Sequence, residues 1–161
     1  MITNIILSLF LLSANPSCSD EDKTIILQTN TDMKIILLLD GDGMYPDLQC
    51  IDKNGMLDSL YYLHNRDVNE LFNANYRKTL HEKLGPNFHS HIRIIYWLIV
   101  DRENKQISYI LRLPPVYDNS KESALIEEAL KESIESHHNA ILAKVPPHGR
   151  YYYFVNFIIL I

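Results

Sequence analysis

The segment YYYFVNFIILI, residues 151–161, restricts what this chain can fold into more than any other. Aromatic and β-branched side chains fill nearly every position, so it is too β-prone for anything but a strand. It is apolar on both faces, and such a strand must lie centrally in a sheet, be covered by a partner, or become an aggregation hazard. The chain must therefore place helices on one side of it and another layer, or a second subunit, on the other.

The residues just before it suggest how. The run IRIIYWLIVDRENKQISYILRL, residues 92–113, is two apolar segments around a charged and polar break, which reads as a β-hairpin. After Pro114-Pro115, the stretch SKESALIEEALKESIESHH sets Ile126, Leu130 and Ile134 four apart, with Leu125, Ala129 and Ser133 on the neighbouring row. That is one apolar helical stripe. A second pair, Pro146-Pro147, followed by His148-Gly149-Arg150, opens the final strand. The expected order is strand, strand, helix, strand.

Further upstream, Asp67 and Glu70 have the spacing of a helix-capping box, and Val68, Leu71, Phe72, Tyr76 and Leu80 make an apolar stripe ended by Gly85-Pro86. This predicts a helix over 67–84. Asp52-Lys53-Asn54-Gly55 between apolar runs predicts a hairpin pairing 48–51 with 56–63. Ahead of it, KIILLLD, residues 34–40, reads as a buried-type strand running into the tight turn Asp40-Gly41-Asp42-Gly43. The turns IDKNG and VDREN are laid out alike, which we read as convergence of hairpin chemistry rather than duplication.

A chain of 161 residues with 47% hydrophobic and 22% charged side chains can bury one sizeable core, so one domain is expected. The net charge of −5 and a pI near 5.8 argue against a nucleic-acid partner. The first residues look like an address. Residues 2–12 are almost wholly apolar and are followed by Ser13, Ala14, Asn15, Pro16, Ser17 and then Cys18. That resembles a secretory signal, and it is shorter than the roughly 20 apolar residues a membrane span needs. Cys18, within Ser-Cys-Ser-Asp-Glu-Asp, resembles the lipid-attachment cysteine of bacterial lipoproteins. The other readings of this stretch are a buried N-terminal strand or a mis-assigned start. If Cys18 carries lipid, Cys50 is expected as a lone buried thiol; otherwise a Cys18–Cys50 disulfide is open. The expected organisation is a signal over 1–17 and a tether over 18–33 with one edge strand near Ile25, Ile26 and Leu27. A single α+β domain follows over 34–161, an antiparallel sheet of four to six strands packed against two helices.

Residues 92–161 resemble the C-terminal domain of the TonB energy-transducer family. Val100 and Asp101 stand at a polar hairpin turn, 107–113 form the second strand, and 127–132 are a Glu- and Ala-rich helix. Residues 143–149 form a Pro-containing loop ending in Gly, and Val155-Asn156-Phe157 stand in a last alternating strand. Arg102-Glu103-Asn104 stands where that family has an Asp-Gly turn. With the preceding helix, the likeness covers 67–161 and implies the order helix, strand, strand, helix, strand, here with an extra N-terminal hairpin. The spanning helix and Pro-rich spacer of a force-carrying transducer are not part of the likeness, so it implies the domain in a binding role. In that family the sheet edge beside the final strand receives an extended peptide from an outer-membrane receptor. The resemblance thus implies a partner-binding strand of Tyr151, Tyr153, Val155, Asn156, Phe157 and Ile159.

Residues suited to other chemistry also occur along the chain. Asp40-Gly41-Asp42-Gly43 looks like the first motif of haloacid-dehalogenase-type phosphatases, with Asp40 and Asp42 in metal-assisted phosphoryl transfer. No second paired-aspartate segment follows, and a Gly- and Asp-favoured turn explains the same residues. His89-Ser90-His91 and His137-His138 lack further ligands at zinc spacing, and the latter pair suits a helix C-terminus through its dipole. Nucleophile elbows and phosphate-cradling glycine loops do not occur. The expectation is a non-catalytic cell-envelope binding module, without metal or cofactor, tethered in the periplasm or at the outer membrane through Cys18. Its partner would be a protein or extended peptide. The alternatives are a structural lipoprotein that pairs with a second copy of itself, as a homodimer, and a small phosphohydrolase.

Overall fold

The computed structural model describes residues 23–39, 47–64, 66–86, 88 and 91–160. Among these residues seven strands and two long helices follow in the order β1 (Lys23–Gln28), β2 (Lys34–Leu39), β3 (Asp47–Ile51), β4 (Leu57–Tyr62), α1 (Arg66–Leu84), β5 (Ile92–Asp101), β6 (Gln106–Arg112), α2 (Lys121–Leu142) and β7 (Tyr151–Leu160). A short 3-10 turn, Pro115–Tyr117, joins β6 to α2. The class is α+β. The stretch expected as a tether carries β1, whose Leu27 is buried.

The strands form one sheet in the order β1-β2-β3-β4-β7-β5-β6. The sheet departs from expectation in size, with seven strands, and in direction, because β4 and β7 run parallel. The reason is where β7 lands. It inserts between β4 and β5, pairing antiparallel with β5 from Ile92↔Leu160 to Asp101↔Tyr151, and parallel with β4 through Leu60↔Tyr151, Tyr61↔Tyr152 and Tyr62↔Tyr153.

Both faces of β5 are buried, which the period-2 alternation of a strand turns into two separate cores. Ile94, Tyr96, Leu98 and Val100 join Phe72, Tyr76 and Leu80 of α1 and Ile126, Leu130 and Ile134 of α2 in one cluster. Ile95, Trp97 and Ile99 face the other way and join Leu27, Ile35, Leu37 and Cys50 in a second. The sheet therefore curls so that β1 to β3 lie across the face that the helices leave open. Trp97 stacks on Tyr153 in that second core, with ring centroids 5.5 Å apart.

Tyrosine hydroxyls fasten the helical layer. Tyr76 donates to the Ile126 carbonyl at 3.2 Å, Tyr96 to Asn73 Oδ1 at 2.6 Å, and Tyr109 to Glu127 Oε1 at 2.5 Å. Lys83 of α1 reaches Glu132 and Glu128 of α2 at 2.7 and 3.3 Å. Ser120 caps α2 by accepting from the Ser123 N–H at 3.0 Å. α1 begins at Arg66, so Asp67 lies inside its first turn rather than at the cap, and Glu70 pairs with Arg66 instead of closing a box. Leu71, expected in the apolar stripe, is 56% exposed, because only the row Val68, Phe72, Tyr76 and Leu80 faces the core.

The turns of the two later hairpins share one device. Asp52 Oδ1 accepts from the N–H groups of Asn54 and Met56, and Asp101 Oδ1 accepts from those of Glu103 and Asn104. Lys105 adopts φ 52°, the left-handed conformation that glycine would take more easily. Asp101 has a second duty, since Arg150, at the start of β7, forks onto both its oxygens at 3.1 Å. Burial alone would raise the Asp101 pKa, but the bonds from Arg150 and Asn104 prevail and hold it below the ordinary carboxylate range.

This pair predicts a pH-dependent stability. Because the folded-state pKa of Asp101 is depressed, the ionised pair adds stability above about pH 3.9 that is lost as pH falls below it. Arg150→Ala should cost about 3 kcal/mol near neutrality by leaving a buried carboxylate unpaired. Urea unfolding of both proteins should show that deficit shrinking towards about pH 3; a deficit that stays constant with pH would rule out the ion pair as its source.

Candidate functional site

The main chain of β7 sorts by residue parity, since alternate residues of a strand turn their N–H and C=O groups to opposite sides. Arg102 N–H donates to the Arg150 carbonyl at 2.9 Å, so even-numbered residues address β5. Leu63 N–H donates to the Tyr153 carbonyl at 2.7 Å, so odd-numbered residues address β4. But β4 ends at Tyr62, in register with Tyr153. Beyond that point Val155, Phe157 and Ile159 turn their main-chain groups to a side where no strand pairs with them among the described residues.

The six residues expected to form a partner-binding strand therefore divide. Tyr151 and Tyr153 are buried, with main chains taken by β4, and burial pushes both hydroxyls up to about 12. Neither is free for a partner, because the chain itself has already added a strand there. Val155 and Asn156 are half-buried, whereas Phe157 and Ile159 are 36% and 45% exposed. Two of the groups on this open edge are met by side chains. Asn156 Oδ1 accepts from the Phe157 N–H at 3.1 Å, and Arg77 Nη1 donates to the Ile159 carbonyl at 3.4 Å. Arg93 lies over the Phe157 ring, 5.4 Å from its centroid.

The half-open edge thus combines outward main-chain groups, two exposed apolar side chains, and an arginine on each face of the sheet. Neither Arg77 nor Arg93 pairs with a carboxylate among the described residues. Such an arrangement suits strand addition with an acidic or polar flank. Periodicity marked these residues as β and apolar, but nothing local separates Tyr153 from Phe157. The signal missed was Arg77, which looks like any surface arginine until α1 is laid beside the end of β7.

The remaining candidates are placed as follows. Cys18, Asp40, Asp42 and His89 lie outside the described residues. His137 Nδ1 sits 3.1 Å from the Ser133 carbonyl with its ring against Phe72, and His138 Nε2 lies 2.9 Å from the Lys105 carbonyl. Both precede the last turn of α2, which continues to Leu142, so they do not cap its C-terminus as expected. Among the described residues no three His, Cys, Asp or Glu side chains converge as a metal-ligand set, and no helix is long and apolar enough to cross a membrane. A polar cavity of about 550 Å³ lies where Asp32, Asp52, Lys53, Asp101 and Arg150 meet. Its carboxylates at Asp52 and Asp101 are already engaged in the turn and ion-pair bonds above. Cys50 is a free, fully buried thiol whose pKa burial pushes up to about 12. No protein-family model matches the chain, and none of the curated proteins or solved structures compared with it gives a significant match.

The Cys50 environment predicts inertness, because the thiolate is the reactive form. A soluble aromatic disulfide reagent at about pH 8 should leave Cys50 unmodified in the native protein and modify it once urea unfolds the chain. Stoichiometric labelling of the native thiol would show that the second core opens freely.

Proposed function

We propose that this protein is a non-catalytic binding module of the cell envelope that takes an extended peptide or partner segment as an added strand along the open edge of β7. The observation that carries this reading is the odd-numbered main chain from Val155 to Ile159, which no strand pairs among the described residues, beside exposed Phe157 and Ile159 and beside Arg77 and Arg93, which meet no carboxylate there. Supporting it is the resemblance of residues 92–161 to the C-terminal domain of the TonB family, whose members accept receptor peptides in this way. The lipoprotein-like residues around Cys18 support a tether to a membrane facing the periplasm. β1 begins at Lys23, so a lipid on Cys18 would hold the domain within about 20 Å of the bilayer surface.

The partner segment would be extended, with apolar side chains alternating towards Phe157 and Ile159. Its acidic or carbonyl groups would answer Arg77 and Arg93. Self-association of two copies through the same edge is the second reading, favoured by the apolar character of Phe157 and Ile159. Both use the same main-chain groups.

Phe157→Pro deletes an outward N–H while sparing the even-numbered ladder to β5. It should weaken binding of alternating apolar and acidic strand peptides by about tenfold or more in a fluorescence titration. Unchanged binding by the variant would sink the edge reading. Sedimentation of the peptide-free protein separates the two partners: a dimer that Phe157→Pro converts to monomer would favour self-pairing. Fatty-acid labelling of cells that is equal for the natural chain and Cys18→Ala would remove the anchor.

A further inference from the structure

β1 and β6 are the outermost strands of the sheet, yet its curl brings them together at one point. Asn30 N–H donates to the Tyr109 carbonyl at 2.9 Å, and Tyr109 N–H donates to Asn30 Oδ1 at 2.7 Å. Thr31 Oγ1 and Ser108 Oγ lie 3.0 Å apart beside them. The Asn30 side chain thus does for Tyr109 what a strand's carbonyl would do, closing a single rung between the two edges. By the same alternation, Leu111 presents its N–H and C=O outward like Tyr109. Thr29 N–H bonds to Met33 within the β1–β2 hairpin, so Gln28 presents its main chain outward like Asn30. Past the rung the edges part. Between them lies a groove of about 790 Å³, walled on its third side by the start of α2.

We propose that this groove is a second strand-acceptor site, distinct from the β7 edge, which takes an extended peptide of alternating apolar and acidic residues along β6. On its α2 side Leu113, Tyr117 and Ala124 supply apolar surface among the polar Asn119, Ser120 and Ser123. Its other side carries Arg112, an exposed side chain that pairs with no carboxylate among the described residues. Two acidic groups also line the groove. Glu127 is held by Tyr109 and Lys131 and so keeps its charge, while Asp118 stands at the mouth. Together they disfavour a carboxylate on the α2 side and leave Arg112 as the acidic residue's partner. A guest strand would pair with the outward main chain at Leu111, and it has the rung at Asn30 as its stop. Antiparallel pairing with β6 gives the better hydrogen-bond geometry.

The test uses the full chain, labelled with nitrogen-15, and a capped hexapeptide of alternating valine and glutamate as probe. Saturable shifts of the Leu111 and Gln28 amides, with contacts from the peptide backbone to Leu111, are the expected result. Arg112→Glu changes an exposed side chain and so should leave the fold intact, while weakening the probe about tenfold. Leu111→Pro, which deletes an outward N–H without touching the β5 ladder, should do the same. Shifts confined to residues 155–160 would overturn the second site while leaving the β7 reading standing. Wild-type affinity in Arg112→Glu, or no saturable shift at Leu111 up to about 1 mM probe, would also overturn it.

Discussion

A strand buried on both faces obliges the rest of the chain to supply two covers, and β5 is that strand. Its side chains from Ile94 to Val100 are 5% exposed or less. Each such large apolar side chain contributes about 1.5–3 kcal/mol when withdrawn from water. Two helices can cover only one face. The N-terminal strands supply the second cover, which is why a sheet of seven strands curls instead of lying open. Without β1 to β3, Trp97 and Tyr153 would face solvent together, and the stacked pair would become the aggregation hazard that the apolar sequence threatens.

Local chemistry was legible wherever a short stretch decides its own conformation. Asp52 and Asp101 stand at equivalent points of their hairpins and fold their turns by the same carboxylate-to-amide bonds, so the two likenesses seen in sequence reflect one physical device. The stripes of both helices were visible from spacing alone. Leu71 is the instructive departure. It lies three residues after Val68, close enough to count in a periodic stripe, yet α1 turns only the row Val68, Phe72, Tyr76 and Leu80 into the core it shares with α2 and the sheet.

Neighbour relations were not legible, because period-2 burial says which face a side chain takes and nothing about which strand lies beside it. The parallel pairing of β4 with β7 depends on the path through α1, the β5–β6 hairpin and α2, none of which marks residues 57–62. The same gap explains why the candidate site was half readable. The alternation from Tyr151 to Ile159 is uniform in sequence, and only the end of β4 separates covered residues from open ones. Asn30 gave no signal at all. A polar residue in a short loop ordinarily marks a turn, and its role as a surrogate strand residue exists only once the sheet has curled.

At the β7 edge an asparagine amide meets one outward donor in the free protein, Asn156 Oδ1 on the Phe157 N–H, whereas the two-bond rung between Asn30 and Tyr109 closes the end of the β6 groove. A single bond of this kind is worth about 1 kcal/mol net, enough to satisfy a donor and discourage indiscriminate pairing, yet little for a true partner to displace. Main-chain bonds alone would not hold such a partner. Each guest residue that becomes ordered loses about 1–2 kcal/mol of conformational entropy, comparable to what its hydrogen bond returns. Under the proposed binding role the surplus would have to come from side chains, which would put the selectivity of the β7 edge in Phe157, Ile159 and the two arginines. A guest without apolar residues at alternate positions would meet the edge and leave again, and that is the behaviour a protein with exposed strand edges needs towards most of the chains it encounters.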